Sequence, residues 1–434
     1  MGVRTALARA ASRHVHVLTV EAPGHWSTRA AVERNILARG WRLALSPADA
    51  DVMAVCGSLG PGMAPVVAHL WDQLPGPRAR ADIHSVDAVA PALDDAVAQL
   101  LDTARQRADS RDRTRSAGQV ADAPEHHVAG HGVHGGAEHG GDGGMQHDAH
   151  GGMRHGDDGG QGGHGGMQHD GHGRMRHGGH SEMGHGGHGG MNHGGGEHSG
   201  MDHGHMDMAP GGVPLAQGGE DRDGLELDVL HVRLGPVLPY WPAGLVLRCT
   251  LQGDVIVDVE ADLVDAGDNP ARIDVTGERS RRFAARRCDN ARSLLALAGW
   301  ENAASCARRV RDALLADSGD LAGPAADLDR LRRDLRRSRA LRWSLRRLGP
   351  LTAQDLARWR LPEHLRGDAW DRLLTMLDRA AAGIAGEQMP EPPSTPPVQA
   401  VADLLRGWDL ATARLIVASL DLDPLTADHA ASHV

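Results

Sequence analysis

The 434-residue chain contains no lysine, and all 46 of its basic residues are arginine. That absence excludes a P-loop, a Schiff-base enzyme and any catalytic lysine, since each needs the primary amine itself. Beyond tryptophan the aromatics are scarce, with one tyrosine and one phenylalanine, so no stacking platform for single-stranded nucleic acid is expected. The four cysteines, Cys56, Cys249, Cys288 and Cys306, are widely spaced and form no Cys-x-x-Cys pair. Such spacing yields neither a disulfide scaffold nor a zinc or iron–sulfur ligand set. No run approaches the ~18 apolar residues of a membrane span, and the N-terminus reads as a first strand rather than a leader. The expected location is cytoplasmic.

Charge is unevenly distributed. Between His126 and Glu220, 11 acidic residues face three arginines, giving −8 of the net −11 and leaving −3 for the rest. The chain as a whole gives no electrostatic case for binding nucleic acid.

Three regions follow from the patterning. Residues 14–107 alternate strand-like and helix-like segments. The run "VHVLTV" is a first strand, "STRAAVERNILARG" a helix that Ser27 would cap and Gly40 would end, and "DVMAVCG" a buried strand closing in a glycine turn. This alternation implies an α/β domain with a small parallel sheet, flavodoxin-like, and helices on both faces. Residues 108–224 are of another kind: from His126 to Pro214 there is no leucine, isoleucine or aromatic residue. Such a segment cannot bury enough surface to offset its ordering entropy and is expected to be a disordered linker. Residues 225–434 read as an α+β, mostly helical domain. Two strands flank a Gly253-Asp254 turn, and after Arg279 the pattern turns helical, with a last stretch over 398–420.

The linker holds 19 of the 28 histidines and nine of the 14 methionines. A methionine stands two residues before a histidine at Met145 and His147, Met153 and His155, Met167 and His169, and Met175 and His177. The same spacing recurs at Met183 and His185, Met191 and His193, and Met201 and His203. Further histidines stand at His164, His172, His180, His188, His198 and His205, and Met206 belongs to the densest cluster, "MDHGHMDM". From Met167 to Met191 the step is eight residues each time, an octapeptide repeat close to Gly-Gly-Met-x-His-Gly-Gly-His. Imidazole suits nickel, copper and zinc, and the thioether favours Cu(I). These residues are the candidate metal ligands, and many shallow sites are expected rather than one rigid one. Binding should weaken as pH falls through about 6.5, because only neutral imidazole ligates.

Elsewhere, "RLRRDLRRSRALRWSLRRLG" (330–349) carries nine arginines. Leucines 328, 331 and 335, then 341, 345 and 348, predict an amphipathic helix with a solvated arginine face. That face could meet acidic protein, anionic lipid, nucleic acid or the acidic linker. His14, His16, His69, His84, His231 and His364 read as packing or surface residues. Asp421 and Asp423 read as caps on the exit of the last helix.

The stretch "SPADADVMAVCGSLGPGMAPVVAHLWDQLPGP" (46–77) resembles the small, cluster-bearing subunit of complex I and its [NiFe]-hydrogenase relatives. The matching positions are Ser46-Pro47, Ala50-Asp51-Val52, Cys56-Gly57, Met63-Ala64-Pro65 and Pro75-Gly76-Pro77. The stretch "VLHVRLGPVLPYWPAGLVLRCTLQGDVIVDVE" (229–260) resembles the start of the companion large subunit, at Gly235-Pro236, Pro239, Gly244 and Gly253-Asp254. The family's small subunit holds an iron–sulfur cluster through thiolates just after the first strand; here His25 and Thr28 stand in those places, and Cys56 stands where threonine is usual. The two Cys-x-x-Cys pairs of a nickel–iron centre are likewise missing, and Leu425 and Asp428 stand in the terminal cysteine positions. No residues matching the family's quinone-pocket His and Tyr are identifiable.

The expectation is therefore a non-catalytic accessory or assembly protein, with no catalytic or cofactor-binding residues of its own and no iron–sulfur cluster. Its linker would bind nickel, copper or zinc. Partners would be hydrogenase or complex I-like subunits, with membrane association only through them and no nucleic acid. The alternative is an electron-transfer or quinone-interacting subunit of a hydrogenase or complex I-like oxidoreductase.

Overall fold

The computed structural model describes residues 14–121, 217–220, 226–265, 276–316, 320–387 and 398–422. The N-terminal half is built on a parallel sheet of β1 (His16–Glu21), β2 (Arg42–Leu43), β3 (Val52–Cys56) and β4 (Ala79–Ile83), in the order β2-β1-β3-β4. All five residues of β3 are buried, as a central strand covered on both faces requires. On one face α1 (Trp26–Ala38) and α3 (Val89–Leu101) bring Val32, Ile36 and Leu93 onto Val15, Val17 and Val52. On the other, α2 (Met63–Gln73) sets Met63 and Val67 against Leu18, Val20 and Met53. Each such aliphatic burial contributes about 1.5–3 kcal/mol.

Helix α1 begins at Trp26, one residue before the Ser27 expected to cap it, and His25 occupies the cap position. Ser27 lies in the first turn, where its hydroxyl accepts from Arg282 at 3.1 Å. Beyond residue 107 the chain continues as α4 (Thr103–Ala121), a helix of almost wholly polar sequence. Ion pairs sustain it, Arg113–Asp109 at 3.0 Å and Arg78–Asp109 at 2.9 Å, which is why apolar periodicity gives no sign of it.

The C-terminal half opens with an antiparallel sheet of β5 (Gln217–Glu220), β6 (Glu226–Leu234), β7 (Leu245–Gln252) and β8 (Val255–Leu263). The expected hairpin turns at Gly253, whose φ of +61° suits a residue without Cβ. Nine-residue β8 is followed by the helices α5 (Thr276–Leu297), α6 (Glu301–Leu314), α7 (Ala322–Arg337), α8 (Arg339–Leu345), α9 (Ala353–Trp359), α10 (Ala369–Ile384), α11 (Val398–Leu405) and α12 (Leu410–Ser419).

Two of the long helical stretches are broken where the backbone finds a better local partner. The arginine-rich stretch splits at Ser338, whose hydroxyl accepts from the Leu341 amide at 3.2 Å and caps α8. The last stretch splits at Asp409, which caps α12 through the Thr412 amide at 2.9 Å. Leu328, Leu331 and Leu335 then bury on α7, and Leu341 and Leu345 on α8.

Candidate functional site

Helix α1 has two buried faces. Ala31, Val32 and Ile36 lie on the sheet, while Trp26, Arg29 and Glu33, at i, i+3 and i+7, face the C-terminal half. Both halves belong to one compact unit, and Trp26, 4% exposed, joins the core built by the C-terminal helices. The guanidinium groups of Arg282 and Arg286 lie 5.5 and 5.4 Å from its ring.

An ionic lock surrounds this plug. Arg29 donates to Glu21, to Glu33 at 2.6 Å and to Asp289 of α5 at 2.5 Å. Arg311 of α6, with no exposed surface, donates to Glu33 and to Asp289 at 2.7 Å each, and to Asp312. Arg292 adds a contact to Glu33 at 3.2 Å, and Arg286 one to Asp289 at 3.2 Å. Four guanidinium groups thus meet four carboxylates, and a fifth, Arg308, reaches Asp312 from the edge at 3.4 Å.

Burial alone would raise the Glu33 pKa, but Arg292, Arg29 and Arg311 outweigh it and hold the group at about 2. Asp289 is likewise opposed by burial, yet Arg29 and Arg311 hold it well below the usual carboxylate range. A further tie runs from Asp265, whose carboxylate accepts from the amides of Gly62 and Met63 at 2.9 and 2.6 Å at the start of α2.

Beside the lock lies a cavity of about 340 Å³. Its lining includes the polar residues Arg29, Glu33, Tyr240, Asp289, Arg292 and Ser293 and the apolar residues Leu18, Leu43, Leu70, Val237 and Trp241. The loop between β6 and β7 forms one wall. It is held by Gly235 (φ +83°), where a Cβ would come within 2.1 Å of the Leu245 carbonyl, and by the Trp241 indole, which donates to that carbonyl at 2.7 Å. Tyr240, the chain's single tyrosine, takes the left-handed φ of +59° and lies 4.9 Å from the Arg292 guanidinium. Burial raises its pKa, with Arg292 opposing, so the phenol stays a neutral donor.

At the carboxyl ends of β1 and β3 the side chains do not suit an iron–sulfur cluster. His25 packs on Gly57 (φ +101°), where a Cβ would fall 2.4 Å from the ring. Thr28 is buried, and the Cys56 thiol belongs to the core between the sheet and α1. A cluster needs several thiolates, and among the described residues this end carries one thiol, Cys56, buried in the core. Burial lowers the His25 pKa, Glu21 opposes the shift, and His84 adds to it.

No family model matches the chain, and no curated protein matches it.

The expected metal ligands of the repeat all lie outside the described residues. They are the methionines Met145, Met153, Met167, Met175, Met183, Met191, Met201 and Met206, with the histidines His147, His155, His164, His169, His172, His177, His180, His185, His188, His193, His198, His203 and His205. Among the described residues no group of three or more His, Cys, Asp or Glu is placed to hold a metal ion, and no helix is long and apolar enough to cross a membrane. The isolated histidines take ordinary partners: His16 meets Asp49 at 3.0 Å, His84 meets Ser58 at 3.4 Å, and His231 meets Thr250 at 3.2 Å.

Asp421, expected as a cap, instead pairs with Arg287 at 2.8 Å and accepts from Asn290 at 2.8 Å, tying the segment after α12 to α5. Asp423 lies outside the described residues. Sequence reasoning missed Trp26, Arg29, Glu33, Asp289, Arg311 and Tyr240 altogether. The available signal was the stripe of Trp26, Arg29 and Glu33, which lies at helical spacing opposite an already apolar face.

Proposed function

We propose that the chain is a non-catalytic accessory or assembly protein, related to hydrogenase and NADH-quinone oxidoreductase subunits, that binds nickel, copper or zinc through residues 126–208. One observation carries the reading. At the strand ends where the resemblance would put cluster thiolates stand His25 and Thr28, and an ionic lock closes the seam. The abundant ligand set is then that of the His/Met repeat. The parallel order β2-β1-β3-β4 supports a flavodoxin-like sheet as the finer fold assignment. Four free thiols suit a reducing, cytoplasmic setting. Subunits of a hydrogenase or complex I-like enzyme are the partners this kinship suggests.

Calorimetric titration of the full chain with Ni²⁺, Cu(I) and Zn²⁺ tests it, against a variant lacking residues 126–208. Several ions taken up by the full chain, and lost with the deletion, are the expected result. Iron, acid-labile sulfide and a visible absorption band in the purified protein would refute the non-catalytic reading.

The seam cavity favours a second reading, a quinone-interacting subunit. A phenol and guanidinium groups lining the same cavity as Leu43, Leu70, Val237 and Trp241 suit a planar carbonyl head bearing a hydrocarbon tail. Binding of a short-chain quinone that weakens in Tyr240→Phe, with the fold intact, is the outcome this reading requires. Absence of any such binding removes it.

A further inference from the structure

Helix α8 carries an exposed face that neither reading uses. Leu341 and Leu345 are fully buried beneath it, which fixes its orientation. The opposite face presents Arg339, Arg342, Trp343 and Arg346, at i, i+3, i+4 and i+7. Trp343 is 83% exposed, far more than any other large apolar side chain described. Arg337 and Arg347 flank this face, and both are exposed.

The charges here differ from those just before. On α7, Arg330 pairs with Asp327, Arg332 with Asp329 and Asp378, and Arg336 with Asp378. Arg337, Arg339, Arg342, Arg346 and Arg347 make no ion pair among the described residues, and from Leu335 to Thr352 the sequence holds no Asp, Glu, Asn or Gln.

We infer that this face docks on an anionic lipid bilayer, with the arginines meeting headgroup phosphates and the Trp343 indole entering the interface. An indole standing in water among cations gains most where one end of its surroundings is apolar and the other wet. Duplex DNA would satisfy the arginines but leave the indole without a role, and the missing amide and carboxylate side chains remove most base-edge readers. The chain's net charge of −11 opposes approach to any polyanion, so attachment must come from a local patch.

Vesicle flotation of the full chain in chelator tests this directly. Expected is association with phosphatidylcholine–phosphatidylglycerol vesicles at low salt, none with phosphatidylcholine alone, and release as salt is added. Arg342→Glu/Arg346→Glu lowers the partition by about thirtyfold or more, from about a factor of five for each lost arginine near the surface. Quenching by brominated lipid, read on the otherwise unaltered chain and lost in Trp343→Phe, serves even where the double variant folds poorly. Equal binding to neutral vesicles, no binding to the anionic ones, quenching unchanged in Trp343→Phe, or full displacement by equimolar duplex DNA overturns the inference.

Discussion

Replacing Asp289 by alanine removes the acceptor shared by three guanidinium groups of the seam. Asp289 is 1% exposed and receives Arg29 at 2.5 Å, Arg311 at 2.7 Å and Arg286 at 3.2 Å. The lock then holds four cations against three carboxylates, with little water to screen the excess. Breaking a buried pair from one side costs about 3–5 kcal/mol, a large part of the about 5–15 kcal/mol that holds a domain folded. Guanidinium unfolding, followed by tryptophan fluorescence and by far-ultraviolet circular dichroism, measures the loss.

Asp289→Ala/Arg311→Met restores the charge balance, so the double variant should be more stable than Asp289→Ala alone. The same lock sets an acid limit. Glu33 has its ordinary pKa of 4.5 lowered to about 2 in the folded chain. The stability it contributes, about 3 kcal/mol, is complete above the unfolded value. It drains away as pH falls from about 4.5 toward 2. A loss below about 1 kcal/mol in Asp289→Ala, the range of exposed pairs, or a double variant as unstable as the sum of the singles, would refute the lock.

Three further outcomes are expected. Arg372, 1% exposed, donates to the Gly349 and Gly367 carbonyls at 2.8 and 2.7 Å and to the Ser419 hydroxyl at 2.9 Å; Arg372→Met removes all three bonds and, with the Gly367 carbonyl still accepting from the Leu351 amide, should cost about 3 kcal/mol in the same unfolding assay. Burial pushes the Cys288 thiol up to about 12 and Cys249 up to about 11, and raises Cys56 and Cys306 too; a thiol-reactive dye at pH 8 should label the native chain slowly and all four cysteines after denaturation. On the proposed function, Ni²⁺ uptake by the full chain should fall steeply between about pH 7 and 5.5 as imidazoles protonate, and titrations across that range that show no change would count against histidine ligation.

How much was legible depended on how local each signal was. The strand "VMAVC" and the Gly253 hairpin are written in contiguous residues, and the structure has both. Leu328, Leu331, Leu335, Leu341 and Leu345 bury as their spacing suggests while Leu348 is half-buried, and the six-residue step from Leu335 to Leu341 already signals a break in phase. A continuous helix would have needed a leucine three or four residues on. The seam gave far less, because its partners are distant along the chain: Arg29 and Asp289 are 260 residues apart, and Glu33 and Arg311 are 278 apart. A polar stripe on a helix reads as solvated until a second body is known to cover it.

The character of that seam bears on what the adjoining cavity can accept. An apolar seam of the same volume would be as stable or more so, since buried ion clusters rarely exceed well-packed hydrocarbon in net stabilisation. The lock is also close to balance, four inner guanidinium groups against four carboxylates with Arg308 at its edge, and most of the inner nitrogens already donate to carboxylates. An anionic ligand entering beside it would have to compete with Glu33 and Asp289 for Arg292 and Arg29, and would add a negative charge beside carboxylates held ionised in the folded chain. A cation meets the same obstacle from the guanidinium groups. On the quinone-interacting reading proposed above, the ligand that avoids both costs is a neutral one, with a head that can accept from the Tyr240 phenol and an apolar portion for the Leu43, Leu70 and Trp241 lining. The arginines of this cavity, plentiful as they are, therefore select against charge.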